Sequence, residues 1–128
     1  MRGARWAKAW GAALAAALLG GCEPVPDDVV RVTIYDWHYS PTHIRVKPGQ
    51  TVSVLNLDTA PHSATSSSHP GRFVPGESDG IFFDTGPFLG EERSFTIPVD
   101  AVPGSTVPYF CTVHHDWEHG VGRLLVIE

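Results

Sequence analysis

Tyr109-Phe110-Cys111-Thr112-Val113-His114-His115-Asp116-Trp117-Glu118-His119-Gly120 decides how the rest of the chain is read. An aromatic strand ends on a thiol. One imidazole follows three residues later and another eight residues later, and the apolar run Leu124-Leu125-Val126-Ile127 comes next. A thiolate with imidazoles close in sequence is a donor set that suits copper or zinc. Cys111 and His114, on one tight loop between two strands, can both reach an ion about 2–2.3 Å from each. A third ligand must come from elsewhere, and His62 is best placed, at the end of a loop that follows a strand. His119 is the candidate fourth.

Upstream of this loop the pattern is β. Val30, Val32 and Ile34 alternate with Arg31, Thr33 and Tyr35, a half-buried first strand that Ser40-Pro41 breaks. Ile44 and Val46 resume it, and Lys47-Pro48-Gly49-Gln50 is a turn. Thr51 to Leu57 alternates again, with Val52, Val54 and Leu57 expected to face inward. Ser63 to Ser68 reads as a short edge strand, Ile81-Phe82-Phe83 as a short apolar strand, and Arg93 to Ile97 as a strand with Phe95 and Ile97 inward. Residues 69–80 are rich in turn formers and belong to no element. No window sustains a period of 3.6. Seven or eight short strands between turns predict an all-β, Greek-key β-sandwich or barrel. Trp37, Tyr39 and Phe110 are expected in its core.

The domain is expected to span residues 29–128, with 1–21 a signal peptide and 22–28 a tether. Arg2, Arg5 and Lys8 precede the apolar run Ala9 to Leu19, which is too short and too rich in Ala for a spanning helix. Leu19-Gly20-Gly21-Cys22 resembles a bacterial lipoprotein cleavage box, making Cys22 the expected site of lipid attachment; plain secretory cleavage nearby or a retained anchor are the alternatives. Such a chain would be exported, a periplasmic or cell-surface protein anchored to a membrane. Cleavage removes three cations and no anion, so the formal net charge falls from −5 to −8. That balance argues against nucleic acid as a partner and permits docking to a basic protein. If Cys22 carries lipid, Cys111 has no disulfide partner, and metal ligation accounts for an unpaired thiol in an oxidising compartment.

Tyr-Phe-Cys-Thr-x-His at 109–114, with a distant His-Ser at 62–63, resembles the cupredoxins, the plastocyanin and azurin family of blue copper proteins. The resemblance runs from Val29 to Ile127. It includes Lys47-Pro48-Gly49-Gln50-Thr51-Val52, the Asn56-Leu57-Asp58 to Pro61-His62 segment, and Phe83-Asp84-Thr85-Gly86. It implies one mononuclear copper ion with His62, Cys111 and His114 as equatorial ligands. It also implies that Ser63 and Thr112 tie the two ligand loops together, and that the partners are redox proteins.

The axial position departs from the family. Where a weak Met is usual, six or eight residues after the Cys, this chain has Trp117 and His119. The His119 spacing is similar to nitrosocyanin, a red copper protein that has Glu in place of the first His. A strong fourth imidazole implies a tetragonal site with a red or green chromophore. Glu118 is an outside axial candidate. His115 would lie at the metal mouth, His38, His43 and His69 at the surface, and Trp117 over the ion or at a docking patch.

Three functions are compatible with these residues. The first is single-electron transfer through a copper site of one cysteine and three histidines. The second is a red-copper-type enzyme whose open position takes a small ligand such as a nitrogen oxide. The third is copper storage or delivery, or a zinc-bound structural module. A cysteine–histidine hydrolase fits less well, since no Gly-rich oxyanion loop accompanies the thiol.

Overall fold

The structure is a computed structural model that describes residues 29–128. The expected signal peptide, the Cys22 lipid site and the tether lie outside the described residues. Eight strands and no helix are found among those residues: β1 Val29–Tyr35, β2 His38–Ser40, β3 His43–Val46, β4 Thr51–Asn56, β5 Thr65–Ser66, β6 Glu92–Thr96, β7 Thr106–Phe110 and β8 Val121–Val126. They form two four-stranded sheets, in the orders β2-β1-β4-β6 and β3-β8-β7-β5. β1 runs parallel to β4 and β3 parallel to β8, while the remaining pairs are antiparallel.

The period-two pattern of the sequence builds the core between the sheets. Val32 and Ile34 of β1, Val52 and Val54 of β4, Ile44 and Val46 of β3, and Leu124 and Val126 of β8 are all buried. Phe83 stacks on Phe95 with ring centroids 3.9 Å apart, and Tyr39 meets Tyr109 edge-on at 4.8 Å. Such pairs contribute about 0.5–1.5 kcal/mol each beyond the area they bury.

Three sequence expectations need correction. Leu57 is exposed, because the inward parity of β4 falls on Val52, Val54 and Asn56. The buried Asn56 amide donates to the carbonyls of Ala60 and Phe88, and its oxygen accepts from Asp58 N–H. Trp37 is half exposed, because Asp36 and Trp37 form the two-residue turn between β1 and β2 with positive φ at both. Ile81-Phe82-Phe83 forms no strand, only an isolated bridge from Ile81 to Ser78, although Ile81 and Phe83 are buried. Residues 69–80 fold back on the body: Ser68 N–H donates to Val74 O, Gly76 N–H to Ser66 O, and Ser67 bridges to Pro75.

This topology puts two connections at one end. The β4–β5 connection carries Asp58 and His62, and the β7–β8 hairpin carries Cys111 to Gly120.

Candidate metal centre

The β4–β5 connection is held at both ends. Asn56 clamps the carbonyls of Ala60 and Phe88, and His62 exchanges backbone bonds with Phe88 in both directions, at 3.2 and 3.0 Å. His62 is thereby buried and its ring turned inward. Nε2–H of His62 donates to the Asp58 carboxylate at 2.8 Å, which leaves Nδ1 as the free lone pair, 3.6 Å from Sγ of Cys111. Asp58 also accepts from the N–H groups of Asp36 and Trp37 at 2.8 and 3.0 Å. Burial works to raise the Asp58 pKa. The two N–H bonds and the His62 ring outweigh it, and the net shift is downward.

The β7–β8 hairpin closes where Cys111 N–H donates to Gly120 O at 2.8 Å. Gly120 has φ +63°, and a Cβ there would lie 2.1 Å from the His114 carbonyl oxygen, so only glycine fits. Inside the loop Asp116 accepts from the N–H groups of Glu118 and His119, an Asx-type turn. The Cys111 sulfur is buried and accepts N–H bonds from Ser63 at 3.4 Å and His114 at 3.3 Å. Two N–H dipoles aimed at one sulfur suit a negatively charged ligand.

One ligand atom each from His62, Cys111 and His114 lies within 4.8 Å of the others. Nδ1 of His114 is buried and has no hydrogen-bond partner. Leaving such an atom unsatisfied costs about 1–3 kcal/mol. A metal ion bound by this nitrogen, the thiolate and the second imidazole would remove that cost. The donor set of one soft sulfur and two imidazoles fits copper.

The structure does not bring His119 into this group. Its Nδ1 lies 2.9 Å from the Asp116 carboxylate, and its ring packs 4.8 Å from that of His38. The Asx turn explains this: Asp116 sits three residues before His119, and it captures the backbone and the ring together. Ser63 Oγ accepts from Thr112 N–H at 2.9 Å and lies 3.0 Å from Thr112 Oγ1, linking the two loops. His115 Nδ1–H donates to the Cys111 carbonyl at 2.7 Å, and Glu118 is exposed. Trp117 is 74 % exposed, whereas the Trp37 ring lies 4.6 Å from that of His114.

Three contributors escape a reading of the sequence. Asp58 is foreshadowed only by its i, i+4 spacing from His62. Asn56 reads as an ordinary strand exit. Trp37 reads as core, because nothing local shows that a distant carboxylate fixes its turn.

No family profile matches the chain. Amicyanin-alpha of Methylorubrum extorquens is 30% identical over 103 residues, which is 80% of this chain and 78% of that protein. Among solved structures, a purple cupredoxin from Nitrosopumilus maritimus superposes with a TM-score of 0.57 at 22% identity, covering 76% of this chain and 98% of that one. A reduced Cu(I) form of an amicyanin variant gives 0.54 at 22% identity, over 80% and 85% of the two chains. The copper-containing nitrite reductase of Thermus scotoductus gives 0.58 at 23% identity over 83% of this chain, which spans only 23% of that enzyme's length.

Proposed function

The chain belongs to the cupredoxins, and from that premise we propose that it carries single electrons through one copper ion held by His62, Cys111 and His114. Bound there, copper supplies a one-electron couple. The chain's own residues do the rest. Asp58 fixes the tautomer and orientation of His62. Ser63 and His114 point N–H groups at the sulfur. The Ser63–Thr112 contacts keep the two loops in register, so that the donors need move little between oxidation states. The observation that carries the reading is the buried, partnerless Nδ1 of His114 beside a buried thiol.

His119 enters as an alternative fourth ligand. Its ring lies against that of His38 and outside the group of three donors, so the three-donor site is the reading the geometry favours. A red or green Cu(II) chromophore would mean that His119 has joined the ion; an intense blue one, dominated by the thiolate, is expected if it has not. The decisive experiment is spectroelectrochemistry of the copper-loaded protein. Reversible one-electron cycling with a retained thiolate charge-transfer band is expected. Irreversible loss of metal on reduction would instead favour storage or delivery.

A second reading follows from the three-donor group itself: a fourth position open to a small exogenous ligand would suit an enzyme. Azide added to the Cu(II) protein should leave the spectrum unchanged if electron transfer is the function.

Export with anchoring through lipid on Cys22 is part of this proposal, supported by the Leu19-Gly20-Gly21-Cys22 motif. The partners would be redox proteins met at the membrane surface. Labelled palmitate should enter the wild-type protein and not Cys22→Ser.

A further inference from the structure

Residues 69–80 build a feature outside the group of three donors. Phe73 leaves this excursion and packs against the outside of the ligand loop. Its ring lies 4.2 Å from that of His115, 5.4 Å from Trp117 and 5.8 Å from Phe110. Beside it is a half-open cavity of about 250 Å³, between the excursion and the sheet that carries β7 and β8. None of His62, Cys111 or His114 lines it, so it is separate from the metal centre.

The walls have two chemistries. Phe73, Phe110, Trp117 and Tyr109 supply aromatic surface. The Tyr109 ring lies across Gly122, where an added Cβ would come within 2.4 Å of it, so the missing side chain makes room for this ring. Arg72, Arg123 and His43 supply the polar side, and no Asp or Glu lines the cavity. His43 and Arg123 are register partners on β3 and β8, while Arg72 comes from the excursion. Ser67 Oγ donates to the Arg72 carbonyl at 2.6 Å, with the His69 carbonyl also within reach at 2.9 Å, and holds that segment in place. Neither guanidinium has an ion-pair partner among the described residues.

On a chain with a net charge of −5, two arginines meeting in one concave site without a carboxylate amount to a local reversal of the field. Arginine binds carboxylates through a planar fork, and aromatic walls favour a flat apolar body. The volume is just below the usual range for drug-sized ligands, which suits a molecule of one ring. We propose that this cavity binds a small planar aromatic anion, with the carboxylate on Arg72 and Arg123 and the ring against Phe73 and Trp117.

The test uses the full-length protein and benzoate as probe, followed by NMR. Saturable shifts are expected at the amides of Gly71 and Gly122 and at the Trp117 indole, in the low-millimolar range. Benzamide, which keeps the ring and loses the charge, and acetate, which keeps the charge and loses the ring, should each bind much more weakly. Arg72→Gln and Arg123→Gln should each weaken benzoate about tenfold, as expected for loss of a charge-assisted bond. Arg31→Gln and Arg45→Gln, at positions that do not line the cavity, should leave it unchanged. Absence of saturable shifts, equal binding of acetate, or an equal response of all four variants would overturn the proposal. So would binding of an acidic peptide across this face with none of benzoate, which would make it a protein-docking surface. The three-ligand comparison needs no variant and reads no copper signal, so its failure is distinct from failure of the electron-transfer reading.

Discussion

Asp58 holds Nε2 of His62 at 2.8 Å, while Nδ1 of the same ring faces Sγ of Cys111 at 3.6 Å. The carboxylate thus decides which nitrogen is offered to the metal. It also anchors the Asp36–Trp37 turn, whose tryptophan lies against His114. Asp58 therefore braces two of the three donors from behind.

Replacing Asp58 should separate these roles. Asp58→Ala frees the His62 ring and leaves the N–H groups of Asp36 and Trp37 unanswered. Copper affinity should fall about 10–100-fold, the usual effect of losing a partner that orients a ligating histidine. A competition titration against a chelator measures it. Stability of the metal-free protein should drop by at least about 1.5–3 kcal/mol, the worth of one of the three hydrogen bonds to a charged group that are lost. The folded pKa of Asp58 is lowered, so its contribution is fully present above the ordinary value of about 3.9. It is lost as pH falls through the folded value. Urea unfolding of the wild type and Asp58→Ala should therefore converge in acid.

Metal loading should stabilise the fold in proportion to occupancy of the His62–Cys111–His114 group. A ligand at a hundredfold its dissociation constant adds about 2.7 kcal/mol, and at a thousandfold about 4.1 kcal/mol. Redox-inert zinc allows the measurement without oxidation of Cys111. Cys111→Ser and His114→Ala should each remove most of this increment, read as the shift in urea midpoint with and without metal. Cys111→Ser should also abolish the thiolate charge-transfer colour of the copper protein.

The parts of this site that were legible in the sequence are those where chemistry is local. Cys111 and His114 share one hairpin, a period of two marks Val30 to Ile34 and Val52 to Val54 as strands, and the apolar run Leu124 to Ile127 marks another. Elsewhere the deciding partner is remote in sequence. Leu57 reads as core by hydropathy, yet the inward place beside it is filled by Asn56, whose amide binds Phe88 across 32 positions. Trp37 reads as core by size, yet its turn is set by Asp58, 21 positions away. The role of residues 69–80 depends on Phe73 meeting Trp117, which no local pattern announces.

His119 is a case where spacing and geometry part. The interval from Cys111 suits a fourth ligand, yet the turn at Asp116 leaves the ring against His38 and outside the group of donors. The N–H groups of Glu118 and His119, with the His119 ring, hold the Asp116 pKa down at about 2. Its stabilising contacts are thus complete above about pH 3.9 and are lost as pH falls through about 2. A carboxyl NMR titration should find that midpoint, and His119→Ala should raise it. The same variant should leave the Cu(II) spectrum unchanged; a large shift would show that the ring ligates.

Gly120 tests whether the hairpin is as tightly specified as its contacts indicate. It has φ +63°, and its carbonyl closes the loop onto Cys111 N–H. An alanine Cβ would meet the His114 carbonyl oxygen at 2.1 Å and Cys111 Cβ at 3.3 Å, both fixed parts of the site. Left-handed strain alone costs a non-glycine residue about 1–3 kcal/mol. The backbone clash adds to this and cannot be relieved by a rotamer change, because Gly120 N–H is itself bonded to Trp37 O at 2.7 Å. Gly120→Ala should therefore lose about 3 kcal/mol or more in urea unfolding and most of its copper affinity. Ala at Gly90, which has φ +67° but meets no atom within 4 Å, should lose only the strain and keep its copper. Equal losses at both positions would mean that backbone conformation, and not contact with the His114 carbonyl, requires the glycine.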